Sequence, residues 1–389
     1  MRVFLIAGEA SGDRLGAALM AGLKSLESVE FCGVGGPLMQ AEGMNSLFPM
    51  DELSVMGLAE VLPKYPQLKR RLNQTVNAVL ANNPDVLITI DSPDFCLRVA
   101  RKVREKTNIR TVHYVAPSVW AWREKRAFKM AQMIDQVLAL LPFEPPYMEA
   151  AGMACDFVGH PVVTEPVPDS TEIRSFKARH DLLDQPLLMV LPGSRKGEVG
   201  RLTPVFGETV KEVLKARPAT RLIVPTTRNV VGMVRDMTRD WSGRPVILDP
   251  TGMSTAAYAV EKACAFHAAD WALAASGTVS LELAAANTPM VIAYDMNWIS
   301  RRLIARMLKV DTLTLVNLVS ETRDVPEFLG DNCRPDLIAA ALLKLMEMPG
   351  AQADAMRVTM ERLGRGGEAP GLRAARAVLK YFNQAADTH

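Results

Sequence analysis

Residues 87–103 read LITIDSPDFCLRVARKV and contain the pattern on which the fold depends. The first part is a run of apolar and β-branched residues, which predicts a buried strand. Two aspartates separated by Ser92 and Pro93 follow, and then a helical pattern begins. Asp91 and Asp94 therefore stand at the mouth of a strand, where they either cap the next helix or belong to a site that transfers protons.

The same order of strand and helix recurs along most of the chain. RVFLIAG (residues 2–8) predicts a strand, and a helix is expected from about Asp13 to Leu26. Further strands are predicted at VEFCGVGG, VLITID, RTVHYVA and QVLALLP, and then at LLMVL, RLIVPT, PVILDP, DWALAASG and MVIAYD. This alternation predicts parallel sheets covered on both faces, as in doubly wound α/β domains.

A Pro-rich polar stretch at residues 159–172 interrupts the pattern and is typical of a linker. We predict a Rossmann-like domain over residues 1–162, a linker over 163–172, a second Rossmann-like domain over 173–365 and a C-terminal helix over 366–389. Because open α/β sheets bind ligands at the carboxyl ends of their strands, a cleft between the two domains is the expected binding site.

Composition excludes several classes of protein. The 45 basic and 43 acidic residues among 389 give a net charge of +2, which argues against a chain that binds nucleic acid and leaves room for a local basic patch. The five cysteines are far apart and form no CxxC pair, which favours a reduced compartment without structural zinc. The N-terminus lacks the pattern of a secretory signal, so we expect a cytoplasmic protein that meets a membrane only at its surface.

LPGSRKGEV (residues 191–199) leaves the first strand of the second domain and precedes a helix. Ser194 and Arg195 offer a hydroxyl and a guanidinium to a diphosphate, since Arg presents a planar donor fork to phosphate oxygens. A solvated basic turn explains this stretch equally well.

ASGTVSLELAAANTPM (residues 275–290) has the same position after a later strand. Its candidate ligand-binding residues are Ser276, Gly277, Thr278 and Glu282. The carboxylate of Glu282 could accept hydrogen bonds from both ribose hydroxyls, or it could be an ordinary acidic residue in the first turn of a helix. The second interpretation leaves a carboxylate among apolar neighbours, where an unpaired charge is costly.

Two motifs of the first domain also have two interpretations. AGEASGD (residues 7–13) could bring backbone N–H groups to an anion or a sugar hydroxyl, but by itself it favours a turn capped by Ser11 or Asp13. HYVAPSVWAWR (residues 113–123) contains Trp120 and Trp122, which could line a pocket for a sugar or acyl chain, although burial in the core is the commoner fate of Trp.

MGLAEVLPKYPQLKRRLNQ (residues 56–74) mixes apolar and cationic side chains. This combination is typical of an interfacial membrane contact, although a helix with a solvated basic face is the more common case. The candidate membrane-contact residues are Leu62, Tyr65, Lys69, Arg70 and Arg71. Pro63 and Pro66 predict that this stretch does not form a continuous helix.

Together, and in this order, these motifs resemble the lipid-A-disaccharide synthases of glycosyltransferase family 19. The resemblance rests on AGEASGD, GVGGPLMQAEG, VMGLAEVL, DSPDF, HYVAPSVWAWR, LPFE, LPGSR..EV and ASGT...LE, and it extends from residue 3 to about residue 346. It implies a GT-B fold, in which two Rossmann-like domains face each other across a cleft. It also implies an inverting reaction that joins UDP-2,3-diacylglucosamine to 2,3-diacylglucosamine 1-phosphate (lipid X) and gives lipid A disaccharide 1-phosphate and UDP.

The resemblance assigns roles to the candidate residues. Asp91 matches the general base. Ser194, Arg195 and the helix start at Gly277 and Thr278 would meet the diphosphate in place of a metal, and Glu282 would hold the ribose. Weaker candidates lie on the acceptor side and are Glu9, Ser11 and His113. The resemblance further implies no cofactor beyond the UDP-sugar substrate, a peripheral position on the anionic inner face of the inner membrane, and a homodimer that can exchange C-terminal segments.

Other interpretations remain. A UDP-N-acetylglucosamine 2-epimerase or a lipid-linked GlcNAc transferase would have the same two-domain form. A non-catalytic module that binds a UDP-sugar or a membrane surface would predict that Asp91→Asn leaves function intact.

Overall fold

The computed structural model describes residues 1–53, 58–122, 124–296, 310–348 and 350–386, and the side chains of 58–64 and 383–386 are outside this description. The chain forms two compact units. The first unit comprises Met1–Thr164 and Leu363–His389, and the second comprises Glu165–Arg362.

The first unit contains a parallel sheet with the strand order β3-β2-β1-β4-β5-β6-β7. Its strands are β1 (Arg2–Ala7), β2 (Glu30–Val34), β3 (Asn45–Ser46), β4 (Val86–Ile90), β5 (Arg110–Tyr114), β6 (Gln136–Ala139) and β7 (Ala154–Phe157). Its helices are α1 (Ala10–Leu26), α2 (Pro37–Ala41), α3 (Leu58–Asn82), α4 (Pro93–Arg104), α5 (Lys125–Met130) and α6 (Pro145–Glu149). Short 3₁₀ turns lie at Met50–Glu52 and Pro161–Thr164.

The second unit contains a parallel sheet with the strand order β10-β9-β8-β11-β12-β13. Its strands are β8 (Leu187–Leu191), β9 (Arg221–Pro225), β10 (Val246–Leu248), β11 (Trp271–Ala275), β12 (Met290–Tyr294) and β13 (Glu327–Leu329). Its helices are α7 (Ser170–Arg179), α8 (Lys196–Ala216), α9 (Val231–Met237), α10 (Thr255–Ala268), α11 (Val279–Ala285), α12 (Leu315–Ser320), α13 (Pro335–Glu347) and α14 (Ala353–Arg362). A 3₁₀ turn lies at Gly330–Asn332.

These sheets confirm the predicted α/β class with doubly wound parallel sheets. All five residues of β4 are buried, as expected for a parallel strand covered on both faces. The following helix, α4, has Pro93 in its first turn and buries Cys96, Val99 and Val103 along one stripe, which explains why this stretch forms a helix.

The last helix, α15 (Pro370–Ala386), packs on α1 within the first unit. The two helices approach closely because both have glycine at the crossing. A Cβ at Gly371 would lie 2.5 Å from the backbone oxygen of Ala18, and one at Gly22 would lie 2.6 Å from that of Gly371. The C-terminal helix predicted over residues 366–389 thus contains α15, which packs on the first unit. The range 163–172 read as a linker contains the start of α7 at Ser170, where Asp169 and Glu172 form a capping box.

Helix α3 contradicts the prediction from Pro63 and Pro66, because it runs without interruption from Leu58 to Asn82. Pro63 and Pro66 are the sixth and ninth residues of this 25-residue helix, and each removes one of its backbone hydrogen bonds. Further along, Leu68, Leu72, Val76 and Val79 pack on the core at helical spacing, and this burial fixes the helix.

Candidate active site

The first unit places Glu9, Ser11 and Asp91 beside the point where the strand order reverses. The chain winds from β1 toward β3 on one side and from β4 toward β7 on the other, so the ends of β1 and β4 flank the switch point at which such sheets bind ligands. Glu9 and Ser11 follow β1, and Asp91 follows β4. The two loops are in contact, because a Cβ at Gly8 would lie 2.5 Å from Ser92 Oγ.

The turn that contains Asp91 has an unusual backbone. Asp91 and Ser92 have φ angles of 49° and 42°, in the left-handed region that non-glycine residues rarely adopt. Asp91 N donates to Tyr114 O at 3.0 Å, which ties the turn to the end of β5. Such conformations are concentrated at functional sites, and this one keeps Asp91 half exposed at the sheet edge.

Asp94 does not cap helix α4, contrary to one of the two expectations from the sequence. The cap position is Ser92, whose side chain makes no capping hydrogen bond, and Pro93 begins the helix as predicted. Asp94 is exposed in the first turn, where the helix dipole favours an acidic side chain.

Asp13 does not cap the helix that contains it. Helix α1 begins at Ala10, and the buried carboxylate of Asp13 instead accepts from the N–H groups of Gly36, Leu38 and Met39 at 2.9 to 3.0 Å. Asp13 therefore caps α2, and a Cβ at Gly36 would lie 2.5 Å from Asp13 Oδ2. The motifs AGEASGD and GVGGPLMQAEG are thus joined by a structural contact that spacing along the sequence does not show.

His113 is not at the sheet edge with the other acceptor-side candidates. It is 2% exposed inside β5, and its Nδ1 lies 2.7 Å from Thr89 Oγ1 on the neighbouring strand. Burial lowers the pKa of His113 to about 4. The position supports a neutral core histidine rather than a residue that contacts an acceptor.

The membrane-contact candidates differ from one another. Tyr65 is 53% exposed, and Lys69 and Arg70 are also exposed. Arg71 points toward its own unit, where it forms an ion pair with Glu52 at 2.6 Å and stacks on Phe48. The side chain of Leu62 lies outside the described residues.

The Arg71 contact has an electrostatic consequence. Hydrogen bonds from Arg71 and then Gln67 lower the pKa of Glu52 to about 2. The sequence prediction grouped Arg71 with Lys69 and Arg70, but Arg71 neutralises a carboxylate of its own domain.

The second unit also brings its candidates to a switch point, at the ends of β8 and β11. Ser194 and Arg195 are exposed in the turn before α8, and Ser276, Gly277 and Thr278 form the turn before α11. Glu198, which the sequence analysis did not single out, organises the first of these turns. Its carboxylate accepts from Ser194 N and Arg195 N at 3.3 Å and pairs with the Arg195 guanidinium at 3.1 Å.

Glu282 has a partner that the sequence did not suggest. Its carboxylate forms an ion pair with Lys262 of α10, which answers why a charged group is stable among apolar neighbours. Lys262 is far from Glu282 in the sequence, and only the packing of α10 beside the sheet brings the two together.

Two further findings concern the described residues only. All five cysteines are free thiols. No group of three or more His, Cys, Asp and Glu side chains is placed to hold a metal ion, and no helix in that part of the chain is long and apolar enough to cross a bilayer.

Comparison with known proteins shows the family of the chain. The family profile described as lipid-A-disaccharide synthetase matches residues 3–369. The chain belongs to the lipid-A-disaccharide synthase family. It is 62% identical over 380 residues to the lipid-A-disaccharide synthase of Ruegeria pomeroyi, and the alignment covers 97% of this chain and 95% of that protein.

Solved structures of other proteins share the fold. The UDP-GlcNAc 2-epimerase of Neisseria meningitidis, solved with UDP-GlcNAc bound, aligns with a TM-score of 0.67 at 11% identity and covers 99% of this chain and 100% of that one. The sucrose-phosphate synthase of Thermosynechococcus elongatus aligns with a TM-score of 0.61 at 15% identity, with all of both chains covered. As a lipid-A-disaccharide synthase, this chain is a glycosyltransferase of the GT-B class that acts in lipid A biosynthesis.

Proposed function

We propose that the enzyme transfers 2,3-diacylglucosamine from UDP to the 6-hydroxyl of 2,3-diacylglucosamine 1-phosphate (lipid X), with inversion at the anomeric carbon. The products are the β-1′,6-linked lipid A disaccharide 1-phosphate and UDP. The observation that carries this proposal is the position of Asp91, a half-exposed carboxylate at the switch point of the first sheet.

Inversion requires a single displacement. Asp91 accepts the proton of the acceptor 6-hydroxyl, the hydroxyl oxygen forms a bond to the anomeric carbon, and the bond from that carbon to the diphosphate oxygen breaks. The electron pair leaves with UDP. No intermediate on the protein is needed, so one base and a stabilised leaving group suffice.

The turns of the second unit supply the leaving-group contacts in this proposal. Arg195 would neutralise the growing diphosphate charge, and the hydroxyl of Ser194 and the turn of Gly277 and Thr278 before α11 would donate hydrogen bonds to it. Glu282 would accept from the ribose hydroxyls, and its ion pair with Lys262 would orient the carboxylate.

The test of this reaction uses purified protein with UDP-2,3-diacylglucosamine and lipid X in detergent, and measures UDP and disaccharide together. Asp91→Asn should lower kcat by about 10²–10⁴, because a general base typically contributes that much, and should leave UDP affinity unchanged. The matched control is Asp94→Asn, an exposed carboxylate three residues later, which should keep the wild-type rate.

Other outcomes identify the competing functions. UDP release without disaccharide would reject the proposed acceptor. Conversion of UDP-GlcNAc to its 2-epimer without an acceptor would favour the epimerase, and UDP-sugar binding that Asp91→Asn leaves intact, without turnover, would favour a binding module.

We further propose that the enzyme works at the anionic inner face of the inner membrane. Tyr65, Lys69 and Arg70 are exposed on α3 and would contact the lipid surface. The double variant Lys69→Gln/Arg70→Gln should weaken binding to vesicles containing phosphatidylglycerol by ~30-fold, since each cation near such a surface contributes about 1 kcal/mol.

The control for the vesicle experiment is Lys211→Gln/Lys215→Gln, which removes two exposed cations of α8 in the second unit. It should bind vesicles as the wild type does. Equal losses in both double variants, or no loss in the first, would contradict a contact through α3.

A further inference from the structure

Glu144 is a buried carboxyl group for which the proposed reaction has no direct use. It is 4% exposed and immediately precedes α6. Its Oε2 accepts from Leu140 N at 3.1 Å and from Leu141 N at 3.0 Å. A buried ionisable group is costly, so its presence in the apolar stretch LALLPFEPP needs a physical reason.

Backbone hydrogen bonds connect this carboxyl group to Asp91. The two amides that Glu144 holds directly follow β6, in which Leu138 O accepts from Val115 N at 3.0 Å. Val115 directly follows β5, where Tyr114 O accepts from Asp91 N at 3.0 Å. Glu144 and Asp91 are therefore at opposite ends of one path across the carboxyl ends of β6, β5 and β4.

The middle of this path is strained. Val115 has a φ angle of 85°, and a β-branched residue is disfavoured in that region. Asp91 has a φ angle of 49°. Conformations of this kind persist only where the surrounding contacts fix them, so the hydrogen bonds at both ends of the path matter for the geometry between them.

A second contact reaches the loop after β5. Trp120 is 7% exposed and packs edge to face against Phe143, with ring centroids 5.2 Å apart. The indole of Trp120 lowers the pKa of Glu144, which favours the charged carboxylate. Among the described residues, Trp120 Nε1 has no acceptor within hydrogen-bonding geometry. The segment of Glu144 thus supports both the end of β5 and the loop that follows.

We propose that Glu144 is a positioning residue that holds the turn of Asp91 in the orientation the glycosyl transfer requires. The inference rests on the proposed function, in which Asp91 is the general base. Glu144 itself does not touch the substrates in this proposal and acts through the ends of β6 and β5.

The charge state of Glu144 offers a readout. Burial raises its pKa to about 7, against the opposing effect of the Leu141 and Leu140 amides and of Trp120. The titratable group that interacts with it from the neighbouring strand is Cys155 of β7, whose pKa burial also raises, so that the thiol is neutral at neutral pH. Above pH 7 the carboxylate is charged and binds the two amides more strongly than the neutral acid does.

The experiment measures kcat and KM for disaccharide formation between pH 6 and pH 8 in Glu144→Ala, Glu144→Gln and the wild type. Glu144→Ala should lower kcat by at least about tenfold with KM unchanged, because small displacements of a catalytic group are costly. Glu144→Gln still offers an oxygen to both amides and should keep the acid-side rate of the wild type. The wild-type kcat should rise through pH 7, and this rise should be missing in Glu144→Gln.

Glu149→Gln, at an exposed position of α6, is the matched control and should behave as the wild type. If Glu144→Ala does not fold, the pH profile of Glu144→Gln decides. A wild-type kcat in Glu144→Ala, or a rise through pH 7 that persists in Glu144→Gln, would overturn the proposal. A wild type that forms no disaccharide would reject the proposed function and this inference with it, whereas an active wild type with unaffected variants rejects the inference alone.

Discussion

At the scale of single residues, His113 shows how burial changes the meaning of a side chain. A histidine in the motif HYVAPSVWAWR is a reasonable candidate for contact with a sugar. The structure instead buries it beside Thr89 on the adjacent strand. The sequence could not decide this, because alternation along one strand does not show which face another element covers.

Burial lowers the pKa of His113 from 6.5 to about 4. This shift should make the free energy of unfolding depend on pH. Between those values the unfolded chain binds a proton that the folded chain does not, so the free energy of unfolding falls as the pH decreases. The loss attributable to His113 should be about 2 kcal/mol between pH 7 and pH 5.

Urea unfolding of the wild type and of His113→Gln at the two pH values measures this loss. The free energy of unfolding of His113→Gln should fall less between pH 7 and pH 5, by the loss of about 2 kcal/mol attributed to His113. Burial also lowers the pKa of His160, so some dependence should remain. Direct NMR titration checks the assignment, and a His113 midpoint near 6.5 would contradict it.

Glu282 is a second case at this scale. Sequence reasoning found that an unpaired carboxylate there would be costly but could not name its partner, since Lys262 belongs to another helix. The need of this carboxylate for a partner was therefore predictable from the sequence, and the identity of the partner was not.

At the scale of elements, the short helix α2 depends on a carboxylate from α1. Asp13 accepts from three N–H groups at the start of α2. Asp13→Ala should lower the free energy of unfolding by about 2–3 kcal/mol, because it removes a cap and leaves buried amides unsatisfied. Thermal or urea unfolding measures the loss.

Asp94→Ala is the control for Asp13, since that carboxylate lies exposed in the first turn of α4. It should cost well under 1 kcal/mol. Gly36→Ala should resemble Asp13→Ala, because the added methyl group would meet the same carboxylate. Equal stability of the wild type and Asp13→Ala would contradict the capping role.

The strands that sequence patterns missed are β3, β7 and β13, and each lies at an edge of its sheet. Central strands such as β4 are buried on both faces and read as continuous apolar runs. The missed strands are short or only partly buried, so their composition resembles that of loops. Each of these segments forms a strand because it pairs with the neighbouring strand of its sheet.

At the scale of the whole molecule, each unit has its own hydrophobic core. The second unit, Glu165–Arg362, is continuous in sequence, whereas the first needs the C-terminal segment to cover α1. Residues 165–362 expressed alone should therefore unfold cooperatively and bind UDP with an affinity near that of the full chain. Circular dichroism and calorimetry measure the two properties.

The complementary truncation ends the chain at residue 362. It removes Ala374, Ala375 and Val378, which are buried against the core that includes α1. The first unit should then lose stability while the second retains UDP binding. A fragment 165–362 that is unfolded under native conditions would contradict the division into two units.

The sequence by itself determined the class of the fold, the order of the central strands and helices along the chain, and the strand ends at which Asp91, Ser194, Arg195 and residues 276–278 lie. These features follow from local periodicity and turn chemistry, which nearby residues encode. The tertiary structure alone decided that Asp13 caps α2, that Lys262 pairs with Glu282, that His113 is buried and that Glu144 is linked to Asp91. These features depend on residues distant in sequence, which the packing of strands and helices brings together.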